Sequence, residues 1–322
     1  MEDIRQQFLE GVEVKGCEYC WKLEKNNRPS PRTTKYAIKY PKVTEVDKVD
    51  LKLRIGGSNC NLGCYMCIPY NSSTRRLELK QSGADDIWKY TDINSTPKNV
   101  SNKRFNEIID DLLKNINRIR SIKFIGGEPI LIDRMWKILD AVPNEYAQHI
   151  NVTFQTNLTH LNYNNHNVFD IANKYNDLKM HVSADHYGER LGWIRYPIDV
   201  KLFEQNLKDA KDLISGIAVT TSILNIFDLH DIRDYYQDNF GLRVDLDNVV
   251  SEPKMLSCKN LLEKDKFLEK YVGDDTKMVY NELVKDRDDK EIQQGIMYCL
   301  KLSKHRNLDF WKIFPHVAKE II

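Results

Sequence analysis

The chain has 322 residues, 41% of them hydrophobic, and 48 lysines and arginines against 47 aspartates and glutamates, for a formal charge of +1. That length suits one large domain with an appendage or two modest domains, and the apolar share is enough to bury a core, which excludes general disorder. The near-zero charge excludes a global pull toward nucleic acid or anionic membranes, and no run of about 18 uncharged apolar residues marks a membrane span.

The opening MEDIRQQFLEG mixes acids, bases and apolar residues, the wrong order for a signal peptide, so a cytoplasmic location is expected. A segment over 1–45 ends in the polar, proline-punctuated NNRPSPRTT. From about Val49 onward, β-branched apolar runs alternate with amphipathic stretches. A strand over Asp50–Ile55 leads into a polar insertion that runs to about Asn102. A helix follows over Lys103–Ile119, with Phe105, Ile108, Ile109, Leu112, Leu113 and Ile116 on one stripe. Next come a strand over Ser121–Ile125, a helix over Asp133–Val142, a strand over Ile150–Thr156 and a helix over Val168–Tyr175. A strand over Lys179–Ser183, a helix over Lys201–Ile214, a strand over Ile217–Ile223, a helix over Asp228–Asn239 and a strand over Arg243–Val250 complete the series. The fold class is therefore α/β, with domains expected at 1–45, 46–253 and 254–322, the last a helical extension. Six βα-type units make a partial (β/α)6 TIM-type barrel or an open wound sheet. In either, ligands gather at the carboxyl ends of the strands.

There, after the first strand, stands Cys60-Asn-Leu-Gly-Cys64-Tyr-Met-Cys67. Seven cysteines, an odd number with tight spacings, point to metal ligation rather than a disulfide framework. Three thiolates in one short loop can wrap three corners of a cubane iron–sulfur cluster and leave its fourth iron open to a substrate. A zinc knuckle is the plainer alternative, but zinc sites usually pair two C-x2-C arms. The second strand ends in Gly126-Gly127-Glu128-Pro129, where two glycines let the backbone approach a ligand.

The C-x3-C-x2-C loop and the GGEP tetrapeptide together resemble the radical S-adenosylmethionine enzymes. The resemblance implies a [4Fe–4S] cluster on Cys60, Cys64 and Cys67, and S-adenosylmethionine (SAM) bound through its methionine amino group by Gly126, Gly127 and Glu128. It implies reductive cleavage of SAM to a 5′-deoxyadenosyl radical that takes hydrogen from a substrate, with an electron donor such as flavodoxin or ferredoxin. Thr156-Asn157 resembles the family's Thr-Asn-Gly, with Leu158 in place of the glycine, and Ser183-Ala184-Asp185 is similar to its Ser-x-Asp at the ribose. Arg195 stands where related enzymes place a carboxylate-binding arginine, and Asn225 is the candidate for the adenine side. Each also reads as an ordinary capping or turn residue. Met66 occupies a position where the superfamily commonly has an aromatic, so its backbone and thioether are expected at the adenine.

Four cysteines remain. Cys17 and Cys20, in a C-x2-C-W-x2-E segment, resemble part of a bacterial and phage group of twitch-domain radical SAM proteins from about Ile4 to Arg32, and the likeness resumes through the closing NLDFWKIFPHVAKEI. That group carries further cysteines upstream, so this chain is expected to be shortened. With Cys258 and Cys299 they would supply an auxiliary iron–sulfur cluster or a zinc site; alternatively, Cys258 and Cys299 are core residues. His181 and His186 read as packing or solvent residues, and Arg75-Arg76 and Lys301 to Arg306 as solvated faces. Tyr65, Tyr70 and Tyr187 are candidate radical donors. A peptide or protein substrate is preferred; a sugar or nucleoside-like molecule, or a non-catalytic iron–sulfur or zinc regulatory protein, stays open.

Overall fold

The computed structural model describes residues 6–7, 10–15, 17–27, 30, 33, 48–89, 91–97, 100–262, 264–271 and 273–317. Most of NNRPSPRTT and the last residues of the closing segment lie outside the described residues. The chain divides into two units, Met1–Lys48 and Val49–Ile322. In the first, helix α1 (Glu18–Lys25) begins directly after Cys17.

In the second unit six parallel strands stand side by side in chain order: β1 (Val49–Leu53), β2 (Ile119–Phe124), β3 (Asn151–Thr156), β4 (Asp177–Ser183), β5 (Ile214–Ala218) and β6 (Val244–Asp245). An order that never reverses, joined by right-handed crossovers, places the connecting helices on one face. That separates a partial barrel from a doubly wound sheet. Among the described residues no pairing closes β6 onto β1, so the sheet stays open. Burial alternates along β2, β3 and β4. Ile122, Phe124, Val152, Phe154, Leu178, Met180 and Val182 are buried, whereas Lys123, Thr153, Gln155, Lys179 and His181 on the other face are half-buried. A parallel sheet covered by helices on both faces would read as continuous apolar runs.

Up to β6 the helices longer than one turn are α2 (Ser73–Ser82), α3 (Asn102–Lys114), α4 (Asp133–Ala141), α5 (Val168–Lys174), α6 (Gly188–Ile194), α7 (Val200–Asp209) and α8 (Leu229–Phe240), with a single turn at Asn144–Ala147 between α4 and β3. After β6 come α9 (Asp265–Lys270), α10 (Lys277–Leu283), α11 (Asp289–Arg306) and α12 (Phe310–Ile313). The helix expected over Lys103–Ile119 ends early: a 3-10 turn at Ile116–Arg118 hands over to β2 at Ile119. The fifth strand sits three residues before its expected start, at Ile214–Ala218. Its reading over Ile217–Ile223 was drawn on by Val219, Ile223 and the loop between them, which is as buried as a strand.

Helix α2 lies within the stretch expected to be only a polar insertion. Ser72 caps it by accepting from the Arg75 N–H, and Gly83 ends it in the left-handed conformation. Its buried residues are Arg75, Glu78 and Leu79. The Glu78 carboxylate pairs with Arg75 Nη1 through Oε2 and accepts from Arg306 Nε at 2.6 Å and Nη2 at 3.0 Å. Arg75 and Arg306, read from sequence as solvated, are thus interior, because one buried carboxylate holds both. Arg306 also donates to the carbonyls of Gly63 (3.0 Å) and Trp193 (2.5 Å). It thereby ties the last turn of α11 to the loop after β1.

Glu78→Ala leaves two interior guanidiniums without a counter-charge. Urea unfolding is expected to show a loss of about 3–5 kcal/mol; a loss under about 1 kcal/mol would mean that water reaches the triad.

Candidate cofactor site

The Cys60–Cys67 loop has neither helix nor strand, so its peptide groups take partners from the surrounding elements. Gly63 N–H donates to the Tyr196 carbonyl at 2.7 Å and Tyr65 N–H to that of Ile194 at 3.0 Å, at the end of α6. The Ser72 and Thr74 hydroxyls, at the start of α2, donate to the carbonyls of Leu62 (2.7 Å) and Cys60 (2.6 Å). Tyr298 on α11 donates to the Tyr65 carbonyl at 2.5 Å. The loop is therefore held in shape by α2, α6 and α11 together.

Cys64 is buried; Cys60 and Cys67 are half-buried. Burial pushes all three thiols up, Cys67 to about 12, with nearby Arg195 and Arg75 opposing the rise at Cys64 and Cys67. As free thiols they hold their protons at neutral pH, so a metal must displace those protons to bind. Asn157 Nδ2 lies 3.9 Å from Cys60 Sγ, and Arg195 Nη1 lies 3.8 Å from Cys64 Sγ.

The Gly126-Gly127 turn rests on the stem of this loop. Both residues have positive φ, and a Cβ on Gly127 would stand 2.1 Å from the Asn59 carbonyl oxygen. Glu128 N–H donates to that same oxygen at 2.8 Å. The Glu128 carboxylate turns inward, accepting from Thr156 Oγ1 (2.7 Å), Asn157 N–H (2.7 Å) and, more weakly, Ile130 N–H (3.4 Å). It fastens the end of β2 to the end of β3. Burial outweighs these bonds and pushes its acid up to about 7.

At the end of β4, Asp185 accepts from Thr220 N–H (2.7 Å) and pairs with Arg195 Nη2 (2.8 Å). Arg195 Nε is buried and has no hydrogen-bond partner. Asn225 is fully buried: its amide donates to the carbonyls of Asp185 (2.9 Å) and Thr220 (3.1 Å) and accepts from Ser222 N–H (2.8 Å). Expected at the adenine, it instead braces the loops after β4 and β5. Asp185, expected at ribose hydroxyls, has its carboxylate engaged by protein groups. Ser183 accepts from Gln155 at 3.0 Å, and Met66 is half-buried against the core.

Sequence reasoning missed Tyr65 as a structural member. Its ring is buried edge-on to Trp193, and its hydroxyl bonds Ser222 beside Asn225. Of the other candidates, Tyr70 lies under the Arg54 guanidinium and Tyr187 stacks on Tyr235. His186 is buried against Asp228 at 3.2 Å, and His181 lies on the half-buried sheet face.

The residues present fit a cluster with three thiolate ligands. Two N–H donors come within 3.9 Å and 3.8 Å of its sulfurs, contacts of the kind that tune a cluster's potential, and a buried guanidinium nitrogen is left for an anion. Among the described residues no three His, Cys, Asp or Glu side chains converge as for a single ion. Thiolates at the corners of a cubane stand farther apart than the ligands of one metal.

The other four cysteines divide between the units. Cys17 and Cys20, half-buried, span one turn at the start of α1, with Cys20 N–H donating to the Cys17 carbonyl at 3.1 Å. Cys258 and Cys299 are buried in the second unit, and burial pushes both thiols up, Cys299 to about 12.

A profile of the radical SAM superfamily matches residues 55–238. No curated protein matches the chain. Among solved structures, anSMEcpe with bound AdoMet is 16% identical, covering 62% of this chain and 50% of its own, with a TM-score of 0.39. SuiB of Streptococcus suis bound to S-adenosylmethionine is also 16% identical, covering 96% of this chain and 60% of its own, with a TM-score of 0.40. The chain thus matches about half the length of the first and three fifths of the second, and at this level of likeness neither bears on its substrate. No described helix is long and apolar enough to cross a membrane.

Gly127→Ala must displace the Asn59 peptide, with an expected loss of about 1–3 kcal/mol and reduced iron uptake on anaerobic reconstitution. Full uptake at unchanged stability would show that the turn does not shape the loop. Glu128 supplies a pH test. Its folded-state acid is raised above its ordinary 4.5 to about 7, so its contribution to stability is present below pH 4.5 and is lost as pH rises to about 7. Glu128→Gln is expected to flatten that segment of the urea-unfolding profile; an identical slope in both proteins would place the titrating group elsewhere.

Proposed function

This chain belongs to the radical SAM superfamily, and from that premise we propose an enzyme that holds a [4Fe–4S] cluster on Cys60, Cys64 and Cys67, cleaves SAM reductively and takes hydrogen from a substrate. The observation that carries the proposal is one loop with three thiols, N–H donors on two of their sulfurs, and the Gly126-Gly127 turn bonded to its stem. When bound on Cys60, Cys64 and Cys67, the cluster would supply the one electron that reductive cleavage of SAM needs.

The chain's own residues bind and orient. Gly126 and Gly127 offer backbone carbonyls to the SAM ammonium, while Glu128 keeps that turn and Asn157 in register through its carboxylate. Arg195 receives the SAM carboxylate on its unsatisfied Nε, and Asp185 and Asn225 fix the guanidinium and its loop. Ser183 and Met66 remain the candidates for the ribose and the adenine. The half-buried Thr153, Gln155 and His181 offer hydrogen bonds to a polar substrate, and a cavity of about 480 Å³ is bordered by Arg54 and Gly57 before the loop and Tyr70 after it.

A peptide or protein substrate is our preference, supported by the likeness of the Cys17–Cys20 segment to the twitch-domain group. The same likeness supports Cys17 and Cys20 as half of an auxiliary metal site. We place the protein in the cytoplasm, with flavodoxin or ferredoxin as electron donor.

Anaerobic reconstitution followed by reductant and SAM is expected to yield 5′-deoxyadenosine, and Cys60→Ala/Cys64→Ala/Cys67→Ala none. A fully loaded protein that makes no product, with or without candidate peptides, would favour the regulatory reading.

A further inference from the structure

Resting on that cluster reading, we propose that the interior Arg75–Glu78–Arg306 triad is a built-in counter-charge for the iron–sulfur cluster, holding one net positive charge behind the cysteine loop so that an electron enters more readily. Two guanidiniums share one carboxylate, with side chains 0%, 5% and 0% exposed for Arg75, Glu78 and Arg306. Arg306 alone would neutralise Glu78, and its nitrogens all reach oxygens: those of Glu78, Gly63 and Trp193.

Arg75 is the surplus cation. Only its Nη1 is paired; Nε and Nη2 are buried without a hydrogen-bond partner. Its guanidinium lies near the rings of Trp88 (5.9 Å) and Tyr298 (5.1 Å), which soften its burial but do not discharge it. An uncompensated interior cation is strongly disfavoured in a fold that has no use for it. The triad stands against the cysteine loop: Arg306 donates to the Gly63 carbonyl at 3.0 Å, Tyr298 beside the Arg75 guanidinium donates to the Tyr65 carbonyl at 2.5 Å, and Ser72, which accepts from the Arg75 N–H, donates to the Leu62 carbonyl at 2.7 Å. Three thiolates on a [4Fe–4S]2+ core would leave one net negative charge there, two after reduction, and Arg195 is already paired with Asp185. The surplus on the triad offsets part of that charge, more so when one further electron arrives. At an effective dielectric of about 20, a unit charge roughly 10 Å from a redox centre changes its reduced-to-oxidised ratio about tenfold at fixed potential.

The test uses the whole chain with and without iron. In the iron-free protein, Arg75→Met removes the surplus cation and leaves Glu78 paired with Arg306, so the melting temperature is expected to stay at or above that of the unsubstituted protein. After reconstitution, a potentiometric titration read by EPR is expected to show the Arg75→Met cluster harder to reduce. The reduced-to-oxidised ratio should fall about tenfold, about 59 mV in midpoint for one electron, and Arg75→Lys should restore it. Arg75→Met that folds but no longer retains iron, with iron regained in Arg75→Lys, supports the same conclusion. A lowered melting temperature of iron-free Arg75→Met would make the residue structural and overturn the inference, as would an unchanged midpoint. If the unsubstituted protein takes up no iron, it is the cluster reading that fails, and the inference falls with it.

Discussion

A loop that presents three thiols to one ligand leaves most of its peptide groups to find partners elsewhere, with Cys67 N–H to the Cys64 carbonyl as an internal bond, and that constraint organises the second unit. The loop from Cys60 to Cys67 has no ladder of its own. Its carbonyls and N–H groups are met by Ser72 and Thr74 at the start of α2, by the end of α6, and by Tyr298 and Arg306 on α11. The C-terminal helices are therefore part of the site's scaffold. Each strand end in turn fixes its neighbour: Glu128 reaches from β2 to β3, and Asp185 and Asn225 bind the loops after β4 and β5.

Much of this was legible in the chain. The alternation of β-branched runs and amphipathic stretches gave six strands in their order, because a sheet with one helix-covered face writes a period of two along most strands, but it set the fifth three residues late, where burial does not alternate. The cysteine spacing and the paired glycines marked two strand ends. Helix α2 was illegible for a physical reason: its buried face is Arg75, Glu78 and Leu79, so the hydrophobic pattern carries almost no signal there. Ser72 and Gly83, a cap at each end, were the available cues. Arg306 was hidden likewise, because a guanidinium satisfied by carbonyls and a carboxylate looks like a surface residue in sequence.

The strand-end polar residues show a second limit. Sequence placed Glu128, Asp185 and Asn225 at the right ends of the right strands, yet could not tell a side chain that meets a ligand from one that holds its neighbours. In the fold Glu128 and Asn225 are committed to protein partners and Asp185 is ion-paired with Arg195, whereas Asp185 Oδ2 and Arg195 Nε each make no hydrogen bond. Leu158 is a further case. It takes φ +55, with its carbonyl accepting from Asn206 and its side chain fully buried, so packing holds a leucine in a conformation that glycine adopts freely.

The central claim is that the three thiols carry a cubane cluster with one iron open to SAM. EPR of the anaerobically reconstituted, reduced protein with and without SAM tests it most directly. The account predicts a [4Fe–4S]+ signal, absent from Cys60→Ala/Cys64→Ala/Cys67→Ala, whose g-values shift when SAM is added. A cluster signal that SAM leaves unchanged, or a protein that takes up zinc in place of iron, would contradict it.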